Sequence, residues 1–328
     1  MLESDQLAPS WGRLATCGPI ANRSIRARGR TSNRAVTAGS GVFVAVFESV
    51  DARQWHDRAR TALNRHASAC GHNRTVERVW LWPNLLSLDA PIVALLWQIL
   101  FARCFHARVD PLPSVLLVLA VWLIYAADRT IDAWTGEGLR PRHEFYRRHW
   151  PALLPLWILA LGAGTALAWT RLTREMLLNG FALGVAVVLY FALLHLGIFQ
   201  KTKEAAVAVL FALGATLSAW PHVRTAADIE AIILFSCLCW INCAAIEQWE
   251  SPVESRWPIA FAAGFVALAA GTLLLFSSRP ILGGAVAASA LCFVLLDRAR
   301  RRFSRDALRV LADVALLSPL FLLPVVHF

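Results

Sequence analysis

From Leu86 onward the chain is a series of long apolar stretches punctuated by short polar loops. About 20 predominantly apolar residues suffice for a helix to cross a bilayer. By that criterion nine spans are expected, near 88–105, 112–127, 151–170, 176–199, 204–220, 229–246, 258–276, 281–296 and 309–326. Several are short, which implies tilt or shallow burial. Pro151, Pro221, Pro258 and Pro280 stand at or near the expected span ends, where a missing N–H costs least. The pattern predicts an all-α, multi-pass transmembrane bundle of about nine helices over residues 79–328.

Residues 1–78 break this pattern. They are rich in Arg, Ser, Ala, Gly and Asn, and only Val42 to Phe47 forms an apolar cluster. Two descriptions suit them: a disordered, Arg-rich N-terminal region with transit-peptide character, or an over-extended translation start. Asp51 to Ala67 has the makings of an amphipathic surface helix.

Composition strengthens the membrane assignment, because 57% of the 328 residues are hydrophobic and only 16% are charged. A soluble domain of that length could not bury so much apolar surface. The net charge of +10 comes almost entirely from arginine, Lys201 and Lys203 being the only lysines. Without a Gly-rich phosphate loop or zinc-finger spacing, this charge points to topology and membrane lipid, not nucleic acid. The seven cysteines contain no C-x-x-C pair. They imply neither disulfides nor a metal centre, and Cys239 and Cys243 are read as small packing residues.

The cations collect in alternate loops. Arg129, Arg140, Arg142, Arg147 and Arg148 follow the second span, Lys201 and Lys203 the fourth, and Arg298, Arg300, Arg301, Arg302 and Arg305 the eighth. The positive-inside rule places these loops and the N-terminus in the cytoplasm, in a bacterial-type plasma membrane.

Two acidic clusters fall on that same side. Asp128 and Asp132 leave the second span four residues apart, so they share one helical face and can ligate one Mg²⁺ or two neighbouring ions. Asn242, Glu247 and Glu250 end the sixth span within roughly 140° of helical arc. Polar groups at this depth mark functional positions or a solvated helix end. Lys201, Lys203, Arg129 and Arg140 are candidate donors to phosphate oxygens that a metal leaves unsatisfied. His195 reads as a packing histidine. Asp313 either lines the same cavity or contacts loop arginines.

Acidic clusters after spans two and six, with a basic cluster opening span five, resemble the UbiA superfamily of intramembrane prenyltransferases over about residues 85–327. The family's first motif reads N-D-x-x-D-x-x-x-D, and Asp128-Arg-Thr-Ile-Asp132 is similar to its last two acids. Arg140-Pro141 is similar to the R-P that follows, and Lys201-Thr-Lys203 before Leu210-Phe-Ala-Leu-Gly214 to a K-R-x-T segment. The chain departs from the family at Ile124 and Tyr125, which replace the leading Asn and Asp. It departs again at Ile246, which replaces a middle acid of the second motif, with Glu247 one position late.

The resemblance implies Mg²⁺-dependent transfer of a prenyl group from a polyprenyl diphosphate to a lipophilic acceptor, an aromatic one among the alternatives. Asp128, Asp132 and Glu250 would hold metal, with Asn242 and Glu247 completing the catalytic set. Arg129, Arg140, Lys201 and Lys203 would hold diphosphate, and Tyr125 or Trp240 would face the carbocation. The departures leave a second expectation: a degenerate member that binds prenyl lipid or a protein partner without turnover. A CDP-alcohol phosphotransferase would need a D-G-x-x-A-R run, which is absent. A secondary transporter would show repeat-related broken spans, which are not evident.

Overall fold

The computed structural model describes residues 86–135, 141–197, 202–251 and 258–325. The N-terminal region 1–78, with its Asp51–Ala67 segment, and the candidate residues Arg140 and Lys201 lie outside the described residues, as does the side chain of His195. Every element described is helical: α1 (Asp89–Cys104), α2 (Pro111–Thr135), α3 (Pro141–Arg171), α4 (Arg174–His195), α5 (Lys203–Thr216), α6 (Ala226–Glu250), α7 (Ile259–Phe276), α8 (Pro280–Ala299) and α9 (Arg305–Ala315). A four-residue turn of helix, Pro319–Leu322, and a 3₁₀ turn, Leu323–Val325, follow α9 among the described residues.

Seven of these elements are long and apolar enough to cross a membrane: α2, α3, α4, α5 with its 3₁₀ extension to His222, α6, α7, and α8 with its extension to Arg302. Their outer faces are apolar too. Leu159, Trp169, Phe181, Val188, Phe261 and Phe276 are each more than two-thirds exposed. A bundle in water would bury such residues, whereas lipid solvates them. The protein is a multi-pass helical membrane bundle.

Helix contacts rest on small residues, as expected where lipid removes the hydrophobic drive between helices. Ala208, Ala212, Ala215 and Ala219 recur every three to four residues on one side of α5 and its extension, and all are buried against the core shared with α6. Beside this seam Trp97 stacks on Phe235 with centroids 4.2 Å apart. The tightest approach joins α7 to α8. A methyl group on Gly283 would meet Leu274 N at 2.5 Å and Ala270 O at 2.8 Å. Backbone atoms cannot swing aside, so Gly283→Ala should lower stability by roughly 1–3 kcal/mol, the usual range for overpacking. Gly271→Ala, on the same hairpin with nothing within 4 Å, should leave the unfolding midpoint in detergent unchanged. Equal midpoints for the two variants would refute this picture of the α7–α8 contact.

Three elements differ from the hydropathy pattern. The first expected span is helical as α1, but at 16 residues it is not among the seven helices long enough to cross. Pro151 lies inside α3, ten residues past its start, and Pro155 follows it. The polar segment before Pro151 stays helical because Tyr146 is buried against Ala126 and Ala133 of α2. Tyr146 also shares a 2.8 Å hydrogen bond with Ser87. The ninth apolar stretch is not one span, because Pro319 cannot donate to Ala315 O and the helix stops at Ala315. The Leu316 carbonyl, buried and past the helix end, accepts from Trp97 Nε1 at 2.9 Å. Ser318 Oγ donates to Ala285 O at 2.9 Å and accepts from Ser289 at 2.7 Å. These bonds satisfy backbone groups that would be costly to leave unpaired in lipid.

Candidate functional site

The polar ends of five helices meet at one end of the bundle. α2 continues as helix to Thr135, eight residues past the expected span end, so Asp128 and Asp132 belong to its last two turns. The reason is amphipathic: Ala126, Arg129, Thr130 and Ala133 are all buried, while Asp128 and Asp132 occupy the exposed face four residues apart. Thr130 Oγ1 donates to Ala126 O at 2.7 Å, which removes a hydroxyl from competition on the buried side.

Arg129 is on the buried face. It is only 3% exposed, with Nη2 3.6 Å from Asp89 Oδ2 at the start of α1. Its neighbours thus set Arg129 apart from the exposed aspartates it had been grouped with. Asp89 is also hydrogen-bonded to Asp313 of α9, and Asn242 of α6 bonds the same Asp313 carboxyl. Asp313 thus belongs to the polar end, within electrostatic reach of Asp89 and Arg129.

The α6 residues divide between two partners. Glu247 Oε1 lies 3.2 Å from Lys203 Nζ at the start of α5, and its carboxyl is hydrogen-bonded to that of Glu204. Glu250 Oε1 accepts from Arg309 Nη1 at 2.9 Å, which ties α6 to α9. Between them Cys243 is within electrostatic reach of Asp128, Glu204, Glu247 and Asp313. Tyr125, half-buried beside Ala90, Ala94 and Val121, is in reach of Asp89, Asp128 and Asp313. Tyr190 of α4 is in reach of Asp128, Asp132 and Glu204.

Asp128, Asp132, Tyr125, Asn242, Glu247 and Lys203 are thus gathered at one end, although they come from three helices. Glu250 is at the same end but turned to α9. Asp89, Glu204, Tyr190 and Arg309 join the cluster without having been singled out in the sequence. Asp89 has the position of an ordinary first-turn acid, favourable at any helix start, and its neighbours Arg129 and Asp313 distinguish it.

Among the described residues, no three His, Cys, Asp or Glu side chains are grouped closely enough to hold a metal ion by themselves. This donor set still suits Mg²⁺, which takes hard oxygen ligands and commonly uses one or two carboxylates plus substrate phosphates. The i, i+4 pair of Asp128 and Asp132 supplies that number. Comparison with protein-family models, with curated proteins and with solved structures finds no match to this chain. The fold therefore defines a class, a multi-pass helical membrane protein, with a polar site gathered at one end of its helices.

Proposed function

We propose that this chain is a divergent intramembrane prenyltransferase of the UbiA type, which uses Mg²⁺ to transfer a prenyl group from a polyprenyl diphosphate to a lipophilic acceptor. The observation that carries the proposal is the meeting of three segments that lie far apart along the chain. The α2 acids, the α5 lysine and the polar end of α6 share one electrostatic neighbourhood around Cys243 and Glu247. The motif end would face the cytoplasm, as the arginine distribution implies.

In this proposal Asp128 and Asp132 would hold the metal, and Mg²⁺ would supply charge neutralisation on the diphosphate. Lys203 would move from Glu247 to a diphosphate oxygen, an exchange of one anionic partner for another. The allylic C–O bond breaks with its electron pair leaving on diphosphate. The carbon then bonds to the acceptor, which gives up a proton. Tyr125 and Tyr190 present electron-rich rings near the aspartates, placed to favour positive charge at the allylic carbon. An apolar groove of about 180 Å³ between α2 and α3 starts beside Asp128, at Ala127 and Ile131, and is walled by Trp150 and Trp157. It suits part of an isoprenoid tail.

The second reading, binding without turnover, is favoured by a specific feature. Lys203 and Glu250 already have internal counter-charges in Glu247 and Arg309, so the site is partly neutralised without ligand. The experiment offers labelled geranyl, farnesyl and longer diphosphates with Mg²⁺ to purified protein, and scores binding separately from transfer across a panel of lipophilic acceptors. Both are expected. Mg²⁺-dependent binding with no transfer would support the second reading, and no binding would overturn both.

A further inference from the structure

The corner between α8 and α9 carries Arg298, Arg300, Arg301, Arg302 and Arg305, against two carboxylates, Asp297 and Asp306. Asp297 is already engaged. Its carboxylate accepts from Trp249 Nε1 and from Ala260 N, each at 3.2 Å, and lies 3.5 Å from Arg300 Nη1. Arg298, Arg301, Arg302 and Arg305 are exposed and make no ion pair among the described residues. α8 runs directly into a 3₁₀ turn over Arg300–Arg302, so Arg301 and Arg302 follow Arg298 at helical spacing and repel it. Membrane topology asks only for positive charge at this depth. It does not ask that the charge stay without a counter-ion.

Depth and shape point to what supplies that counter-ion. The crossing stretch of α8 runs from Pro280 to Arg302. At 1.5 Å per residue, Arg298 stands about 27 Å and Arg302 about 33 Å along an upright helix, against a hydrocarbon core of about 30 Å. The arginines therefore leave the core at the level of the lipid phosphates. Leu291 and Leu295 are both more than half exposed, and with Arg298 and Arg302 they recur along one face of the helix. That face is apolar first and cationic at its end, which is the order of acyl chain and headgroup in a phospholipid. Phe303 comes next, 43% exposed on extended backbone between the two helices. Water disfavours such a ring, and the acyl boundary beneath the headgroups accepts it.

We propose that this corner docks an anionic phospholipid, with the phosphate among Arg298, Arg301, Arg302 and Arg305, an acyl chain along Leu291 and Leu295, and Phe303 inserted beside it. A zwitterionic headgroup would bring its own cation against the four guanidiniums. The site does not involve Asp128 or Asp132 and does not rest on prenyl transfer.

The corner's backbone closes on itself. Phe303 N donates to Arg300 O at 3.3 Å, and Ser304 Oγ accepts from Ala307 N at 3.2 Å. Exposed side chains can therefore be changed here without unfolding the turn.

The test offers an equimolar mixture of phosphatidylglycerol and phosphatidylcholine to the full chain in neutral detergent, and reads the retained lipid by native mass spectrometry. Preferential retention of phosphatidylglycerol is expected. It should fall on the order of tenfold or more in Arg301→Gln with Arg302→Gln, since each arginine at an anionic surface contributes about fivefold, and should also fall in Phe303→Ser. Arg171→Gln with Arg174→Gln, both exposed at the other end of the bundle, removes the same charge and should change nothing. Excess glycerol phosphate should not displace the lipid, and displacement would assign a soluble anion instead. Equal retention of the two lipids by the parent, or equal losses in the two arginine double variants, would overturn the proposal.

Discussion

Replacing Asp128 and Asp132 together by Asn should reduce Mg²⁺-dependent diphosphate binding by on the order of 100-fold or more, because even outer-shell changes at metal sites cost 10–100-fold. The substitution keeps size and hydrogen-bonding capacity and removes only charge. Both side chains lie on the exposed face of α2, so the packing of Ala126 and Ala133 on Tyr146 is untouched. Circular dichroism and the unfolding midpoint should match the parent. A single Glu250→Gln change should do less, because its carboxylate is turned to Arg309. A larger loss in Glu250→Gln than in the aspartate pair would move the metal site from α2 to α6.

The second large effect concerns the fold. Asp228, fully buried in the first turn of α6, accepts from Arg279 Nε at 2.6 Å and from the backbone N–H groups of Arg224 and Thr225 at 2.9 and 2.8 Å. Arg279 also donates to the Cys104 carbonyl and lies over the Phe105 ring, 5.2 Å from its centroid. One guanidinium thus joins α1, α6 and the start of α8. Arg279→Met should destabilise by about 3–5 kcal/mol, the range for leaving one partner of a buried pair uncompensated. In Arg279→Met with Asp228→Asn the loss should shrink, because the stranded charge is gone and Asn can still cap. Additive losses on thermal unfolding in detergent would show that the contacts to Cys104 and Phe105, and not the ion pair, carry the stability.

The helices were legible in the sequence to the extent that hydropathy reports a lipid-facing surface. Exposed apolar side chains such as Phe181 and Phe261 dominate a window average, so α4 and α7 were placed nearly end to end. Hydropathy failed where a helix is held by something other than lipid. The last two turns of α2 and the first turns of α3 are polar, and they are helical because Ala126, Ala133 and Tyr146 pack together. The break at Pro319 was hidden by an unbroken apolar run. Its backbone groups are satisfied by Trp97 and Ser318, from contacts that no local pattern contains.

The candidate site divides along the same line. Asp128 and Asp132 were visible because both acids lie in one segment at helical spacing, and Asn242 and Glu247 because polar and acidic side chains are rare within a membrane helix. Asp89 and Glu204 were not, since each resembles a first-turn acid whose presence the helix dipole already explains. Arg129 was grouped with the aspartates by proximity in sequence. One residue is about 100° of helix, enough to turn it inward to Asp89.

The most direct test of a metal and diphosphate site at the acidic end replaces Mg²⁺ with Mn²⁺ and offers inorganic pyrophosphate to the purified protein. Electron–nuclear double resonance then reads the ³¹P coupling to the bound ion. The expected result is a protein-bound Mn²⁺ with a resolved ³¹P coupling that disappears in the Asp128→Asn, Asp132→Asn double variant. A bound ion without ³¹P coupling, or a signal identical in that variant, would contradict the proposed site.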